Sequence, residues 1–230
     1  MQINKLLTTR NYSKKNNKNR IKYLVIHYVG ATGSARNNCE YLKSIYRGTS
    51  AHYFVGHEGE IWQCVEDADV AWHCGARKYK HKECRNDNSI GIEMCVRSAH
   101  NEWYFEDKTV SSTIELTREL MTKYKIPIEN VLRHYDVTGK ACPEPYVRNA
   151  AAWKDFKNKL VTPSFVPYKV RVTADELNIR NGAGVKYKRN GAITDKGVYT
   201  IVEEKMNGKT KWGKLKSGAG WISLSYTKKV

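Results

Sequence analysis

The sequence has no apolar run approaching the ~18–20 residues that a membrane-spanning helix needs, and its mean hydropathy is −0.66. Membrane insertion is therefore not expected. The N-terminal stretch from Met1 to Arg10 has two adjacent leucines but no apolar h-region, so it does not read as a signal peptide. No cysteine pair forms C-x-x-C. Cys39, Cys64, Cys74, Cys84, Cys95 and Cys142 are scattered along a chain large enough to fold without staples. Most of them are expected to be reduced thiols in a core. There is no long repeat and no low-complexity tract. Acidic residues are scarce, with 23 Asp and Glu against 40 Lys and Arg, a net charge of +17. Such an excess is either a solvated basic surface or an attraction to nucleic acid, an anionic membrane or an anionic cell-wall polymer. The chain shows no recognition helix, zinc-finger spacing or interleaved aromatic platform, so nucleic acid is not an expected partner.

What is present falls into two parts. With 230 residues, 40% of them apolar, the chain suits one large domain or two unequal ones with a real core. A polar, basic arm over residues 1–20 precedes a buried strand, Ile21 to Tyr28. Ser34 is placed to cap a helix running to about Arg47, with Gly48 at its end. Ala51–Val55 and Ile61–Val65 read as a hairpin turning near Gly59. A long polar loop, 67–88, leads to a strand at Ser89–Val96; loops of that length in compact domains are usually functional or mobile. Helices are expected over Val110–Lys125 and Ala150–Leu160. Residues 161–167 carry two of the five prolines and read as a linker. Beyond it, residues 168–230 hold 14 Lys and Arg against 5 Asp and Glu. Their short alternating stretches broken by glycine are the signature of a small all-β barrel or sandwich.

The chemistry concentrates in Val131–Pro143. A His, an Asp, a Lys and a Cys (His134, Asp136, Lys140 and Cys142) fall within nine residues there. His134 and Cys142 cannot share a helical turn, but they meet if the chain folds back at Thr138-Gly139. An imidazole and a thiolate are good zinc ligands, and His27, at the end of an apolar strand, is the candidate third. A lone His in that position is more often structural. Two His and one Cys with an open fourth position, however, form a catalytic rather than a structural zinc arrangement. If Cys142 is a ligand, five cysteines remain, too odd a number for complete pairing. Glu93 lies among apolar residues, where an inward carboxylate is costly unless it is paired or functional; by alternation alone it equally faces solvent. Lys140 either stabilises a developing oxyanion or is simply solvated. Asp136 either orients His134 or anchors the turn.

Several motifs occur together and in order: Val25-Ile26-His27, Ser50-Ala51-His52-Tyr53-Phe54-Val55, Ala71-Trp72-His73-Cys74-Gly75, Asn86-Asp87-Asn88-Ser89-Ile90-Gly91-Ile92-Glu93, and Arg133-His134-Tyr135-Asp136 through Lys140-Ala141-Cys142-Pro143. On these, residues 20–160 resemble the zinc N-acetylmuramoyl-L-alanine amidases of the amidase-2 and peptidoglycan-recognition-protein fold, phage endolysins among them. The resemblance implies an α/β (α+β) domain over 1–160, with a central mixed β-sheet flanked by helices and an open cleft. It implies one Zn2+ held by His27, His134 and Cys142, with Glu93 as the proton carrier and Lys140 polarising the carbonyl. The bond cleaved would join N-acetylmuramic acid to the L-alanine of the stem peptide. His52, Trp72 and His73 would contact substrate. Some members carry Tyr where His52 stands, which leaves its role open beside Tyr53, and Trp72 serves equally as core packing. In the second part, Leu177-Asn178-Ile179-Arg180-Asn181-Gly182, Lys211-Trp212-Gly213-Lys214-Leu215 and Gly220-Trp221-Ile222-Ser223 resemble bacterial SH3 domains. That implies a small all-β SH3-like barrel over 168–230 that binds cell wall.

The expected partners are bacterial peptidoglycan and anionic wall polymers. The missing signal peptide suits a lysin that stays cytoplasmic until the membrane is opened and then acts on the wall. The rival class is a non-catalytic peptidoglycan receptor, which typically has lost a zinc ligand.

Overall fold

The structure, a computed structural model, describes residues 1–161 and 165–230. The chain divides into two compact units, Met1–Thr162 and Pro163–Val230. Of the residues read as a linker, 162–164 lie outside the described residues.

The first unit runs β1 (Ile3–Lys5), β2 (Tyr12–Ser13), β3 (Tyr23–Tyr28), α1 (Ala35–Ser44), β4 (Tyr53–Val55), β5 (Ile61–Gln63), β6 (Val70–Ala71) and β7 (Ser89–Met94). It continues through β8 (Arg97–Ala99), β9 (Glu102–Tyr104), α2 (Asp107–Tyr124), β10 (Val131–Arg133), α3 (His134–Thr138), α4 (Glu144–Arg148) and α5 (Ala150–Val161). Six strands form a central mixed sheet in the order β1-β5-β4-β7-β3-β10. All its pairs are parallel except β4 with β5.

Strand alternation divides the work between the two faces of the sheet. Leu24 and Ile26 of β3, Ile90, Ile92 and Met94 of β7, and Tyr53 and Val55 of β4 all join one core. That core is covered by Ile114, Leu116 and Leu120 of α2 and by Phe156 and Leu160 of α5. Fully burying side chains of this kind contributes roughly 1.5–3 kcal/mol each. The intervening residues face the other way. Phe54 packs there with Ala35, Cys39 and Leu42 of α1, and Val25 packs with Cys74, Cys84 and Val137. His27 and Glu93 continue this second face, and their Cα atoms are register partners in the β3–β7 pair.

Ser34 caps α1, accepting a hydrogen bond from the Asn37 N–H at 3.2 Å. The helix stops at Ser44, short of the Arg47 that its sequence suggests. The cause is Asn11, which is buried. Its amide donates to the carbonyls of Leu42 and Ile45, and its oxygen accepts from the N–H groups of Arg47 and Gly48. The sequence pattern does not signal the β8–β9 hairpin. Its turn places His100 and Asn101 at φ +50° and +61° without a glycine.

The second unit contains β11 (Tyr168–Val172), β12 (Leu177–Arg180), β13 (Arg189–Ile193), β14 (Val198–Asn207), β15 (Thr210–Leu215), β16 (Trp221–Ser223) and β17 (Thr227–Lys229). They pair antiparallel in the order β13-β12-β16-β15-β14-β11-β17. Val170, Val172, Leu177, Ile193, Ile201, Leu215 and Ile222 form its own core. Among the described residues, no helix is long and apolar enough to cross a membrane.

Candidate metal centre

Three elements deliver the three candidate ligands. β3 carries His27 to the C-terminal end of a parallel strand. β10 runs beside β3 and passes directly into α3, whose first residue is His134. Gly139, at φ +87°, ends that short helix in the left-handed region that glycine adopts freely. The chain then folds back so that the Tyr135 N–H donates to the Cys142 carbonyl at 2.8 Å. Arg133 holds the entrance: its guanidinium and backbone N–H both donate to the Asp136 carboxylate. Asp136 thus anchors the turn.

The ligand atoms of His27, His134 and Cys142 all lie within 4.8 Å of one another, and all three residues are buried. The Cys142 Sγ is 3.7 Å from the His27 Nδ1, and the Glu93 Oε1 is 3.9 Å from that same nitrogen. The imidazole rings of His27 and His134 meet edge to face at 4.7 Å. Burial, with neighbouring imidazoles and Lys140, holds His27 well below the usual histidine range. Burial and Lys140 bring His134 down to about 4. Both rings are therefore neutral and have a lone pair to offer at physiological pH. Burial pushes the Cys142 thiol up to about 12, so the metal-free site carries little charge. Burial also raises the Glu93 carboxyl to about 8, against a smaller opposing pull from Lys140.

Two buried polar atoms at the site, the His134 Nδ1 and the Glu93 Oε2, have no hydrogen-bond partner. Unpartnered buried polar atoms are uncommon and call for a ligand, ion or water. Two imidazoles and one thiol within one small volume fit a tetrahedral d¹⁰ ion with an open position.

Two cavities meet at this point. The smaller, about 240 Å³, is lined by His27, His134, Cys142, Glu93 and Lys140 together with Tyr41 and Phe54. The wider, about 670 Å³, is lined by Tyr46, Trp72, His73, Asn86, His134 and Lys140. Trp72 is half-buried in the groove wall, its indole N–H donating to the Ser13 hydroxyl at 2.9 Å and its ring packed against Tyr46.

His52, expected at the substrate, is enclosed by protein. Its exposure is 0%. Its Nδ1 accepts from the Gly91 N–H at 3.0 Å, and its Nε2 lies 3.2 Å from the Asp69 carbonyl. Its ring ties β7 to a loop, and it lines neither cavity. His73 does border both cavities. Both its ring nitrogens, however, face protein atoms, the His27 Nε2 at 3.0 Å and the Ser89 Oγ at 3.1 Å. The signal for this was present in Ser89, Gly91 and Glu93, which recur at every second position and so share a face with His27.

The sequence model of the family described as N-acetylmuramoyl-L-alanine amidase matches residues 17–145, which include every ligand candidate. The chain belongs to the N-acetylmuramoyl-L-alanine amidase family. Among curated amidases, CwlL of Bacillus licheniformis is 31% identical over 150 residues, covering 61% of this chain and 41% of CwlL. BlyA of Bacillus subtilis is 32% identical over 154 residues, with the same 61% and 41% coverage. The chain thus spans about 41% of the length of these amidases. The solved structure of PlyL superposes with a TM-score of 0.59 at 26% identity, covering 70% of this chain and 97% of PlyL. The catalytic domain of XlyA gives 0.57 at 25%, covering 70% and 99%. The mixed sheet flanked by helices is the fold of these two solved structures.

Proposed function

We propose that the first unit is a zinc amidase that hydrolyses the bond between N-acetylmuramic acid and the L-alanine of the peptidoglycan stem peptide. The observation that carries this reading is the convergence of three buried ligand atoms within 4.8 Å, with Glu93 facing the same point. His27, His134 and Cys142 would hold the ion. When bound, zinc supplies Lewis acidity, polarising a carbonyl and making water nucleophilic near neutral pH.

The chain's own residues do the rest. Glu93 takes a proton from the attacking water and delivers it to the departing amine of L-alanine. In the metal-free site burial keeps this carboxyl protonated, and a cation nearby favours its ionised, basic form. Lys140, at the mouth of both cavities, places a positive charge where the carbonyl oxygen becomes negative. The groove beside Trp72 and Tyr46 is open, as a polymeric substrate requires.

We further propose that residues 168–230 form a bacterial SH3-type wall-binding domain joined through residues 161–167. Its seven antiparallel strands support this. So does a cavity of about 420 Å³ lined by Asn178, Arg180, Trp212 and Tyr226; the Asn178 Oδ1 is buried without a partner. The excess of Lys and Arg there suits anionic wall polymers.

Chelation is expected to abolish release of peptide from purified walls, and added zinc to restore it. Mass spectrometry of the digest is expected to show new N-terminal alanine. New reducing ends would instead indicate glycosidase action, and wall binding without release would indicate a receptor. Removing residues 163–230 is expected to weaken sedimentation with walls while sparing hydrolysis of a soluble muropeptide; unchanged sedimentation would remove the wall-binding role.

A further inference from the structure

The hydrogen bonds behind His27 form a chain whose direction is fixed at its far end. The Ser89 Oγ lies 2.6 Å from the Arg85 carbonyl oxygen. Two oxygens at that separation need a proton between them, and the carbonyl has none, so the hydroxyl proton points to Arg85. The Ser89 Oγ is then an acceptor toward the His73 Nε2 at 3.1 Å, with the thiols of Cys74 and Cys84 beside it. His73 must carry its proton on Nε2, which leaves its Nδ1 as a lone pair. That lone pair faces the His27 Nε2 at 3.0 Å, so His27 carries its proton on Nε2 and keeps Nδ1 bare. Nδ1 is the nitrogen that faces Cys142 and Glu93.

We infer that His73 is a positioning residue that, held by Ser89, fixes His27 in the tautomer that presents Nδ1 to the metal. The inference rests on the zinc reading above. A metal-bound histidine usually donates its second N–H to a carboxylate or carbonyl; here the ring nitrogen of another histidine accepts it.

The seat for His73 is built into β7. A Cβ at Gly91 would fall 2.5 Å from the His73 Cγ, so only glycine leaves room for the ring against the strand. Asn86 fixes the backbone of the same segment, its Oδ1 accepting from the N–H groups of His73 and Cys74 at 3.1 and 2.7 Å. Ser89, Gly91 and His73 thus act as one device on a ligand that none of them shares with the ion.

The test uses the full chain stripped of metal. Zinc affinity is measured by competition with a chromophoric chelator, and the tautomer of His27 is read from its ring ¹⁵N shifts. Wild type is expected to bind one zinc and to show His27 protonated at Nε2. His73→Leu is expected to bind zinc about 10–100-fold more weakly, the usual effect of losing such a partner, and to mix the His27 tautomers. His73→Asn, whose side-chain oxygen replaces the Nδ1 acceptor, is expected to recover most of the affinity. Ser89→Ala touches only the far nitrogen of His73, and it too is expected to weaken zinc and mix the tautomers; a packing role for His73 would leave both unchanged. If His73→Leu does not fold, Gly91→Ala, which displaces the ring without altering it, supplies the same readings. Failure of wild type to bind zinc would overturn the metal reading and this inference with it. Wild-type affinity and a single Nε2–H tautomer in the folded variants would overturn the inference alone.

Discussion

Glu93→Gln is expected to destroy turnover and, in the metal-free protein, to remove a stability penalty that grows with pH. Burial lifts this carboxyl from 4.5 to about 8. An acid whose folded value is raised binds more protons folded than unfolded between those two values. Its stability is therefore complete below the unfolded value and is lost as pH rises toward the folded one. Each unit is worth about 1.4 kcal/mol, so the loss is about 1 kcal/mol near pH 5, about 3 kcal/mol near pH 7 and about 5 kcal/mol above pH 8. Glutamine keeps the shape and cannot ionise. The stability of Glu93→Gln relative to wild type should therefore climb by about 2 kcal/mol between pH 5 and pH 7. Denaturant melts in the presence of a chelator measure this directly. The slope is diagnostic, because the buried amide has a constant cost of its own. With zinc restored, hydrolysis by the variant should fall by about 10²–10⁴-fold, the range for a lost proton carrier. A stability difference that is flat in pH would refute the raised carboxyl, and unchanged hydrolysis would remove Glu93 from the reaction.

Lys140→Met should lower turnover on the order of 10²-fold, with stability within about 0.5 kcal/mol of wild type because the side chain is exposed; calorimetry beside the muropeptide assay tests both. Asn11→Ala removes four hydrogen bonds to backbone groups, the one to the Leu42 carbonyl buried, and should cost roughly 2–4 kcal/mol with one zinc still bound; a negligible shift in Tm would deny Asn11 its role in ending α1. His52 is depressed to about 3, chiefly by burial. Its contribution is complete above the unfolded value of 6.5 and is lost as pH falls toward 3, at about 1.4 kcal/mol per pH unit. Wild type should therefore lose stability faster on acidification than His52→Gln, and parallel acid melts would contradict the buried neutral ring.

The ligand candidates were legible because each lies in a distinctive local pattern: an apolar strand ending in His27, and a His-to-Cys stretch broken by a glycine that lets it fold back. The central sheet and its helices were legible for a similar reason, since apolar periodicity reports local burial. What escaped depends on partners remote in sequence. The stop of α1 is set by Asn11, more than thirty residues upstream of the carbonyls it takes. His52 sits in a hairpin motif that suggests substrate contact, yet Gly91 and Asp69 occupy its ring nitrogens. The β8–β9 hairpin has an exposed first strand and a turn without glycine, so neither alternation nor turn chemistry announced it. Asp136 suits two tasks in the sequence, and the contact that decides between them, with the Arg133 guanidinium, depends on how the turn folds.

The alternation within β3 and β7 has a practical consequence for engineering. Leu24, Ile26, Ile90, Ile92 and Met94 point to α2 and α5, while their immediate neighbours Val25, His27, Gly91 and Glu93 point to the opposite face. Libraries confined to the α2 and α5 side could raise heat tolerance without exchanging a residue that faces the groove, and libraries on the groove side could change selectivity while leaving the main core intact. The two kinds of variation share the same strands and should combine almost independently. A reading-frame shift of one residue in either strand would exchange the two sets, so an insertion or deletion there should be far more damaging than any single replacement.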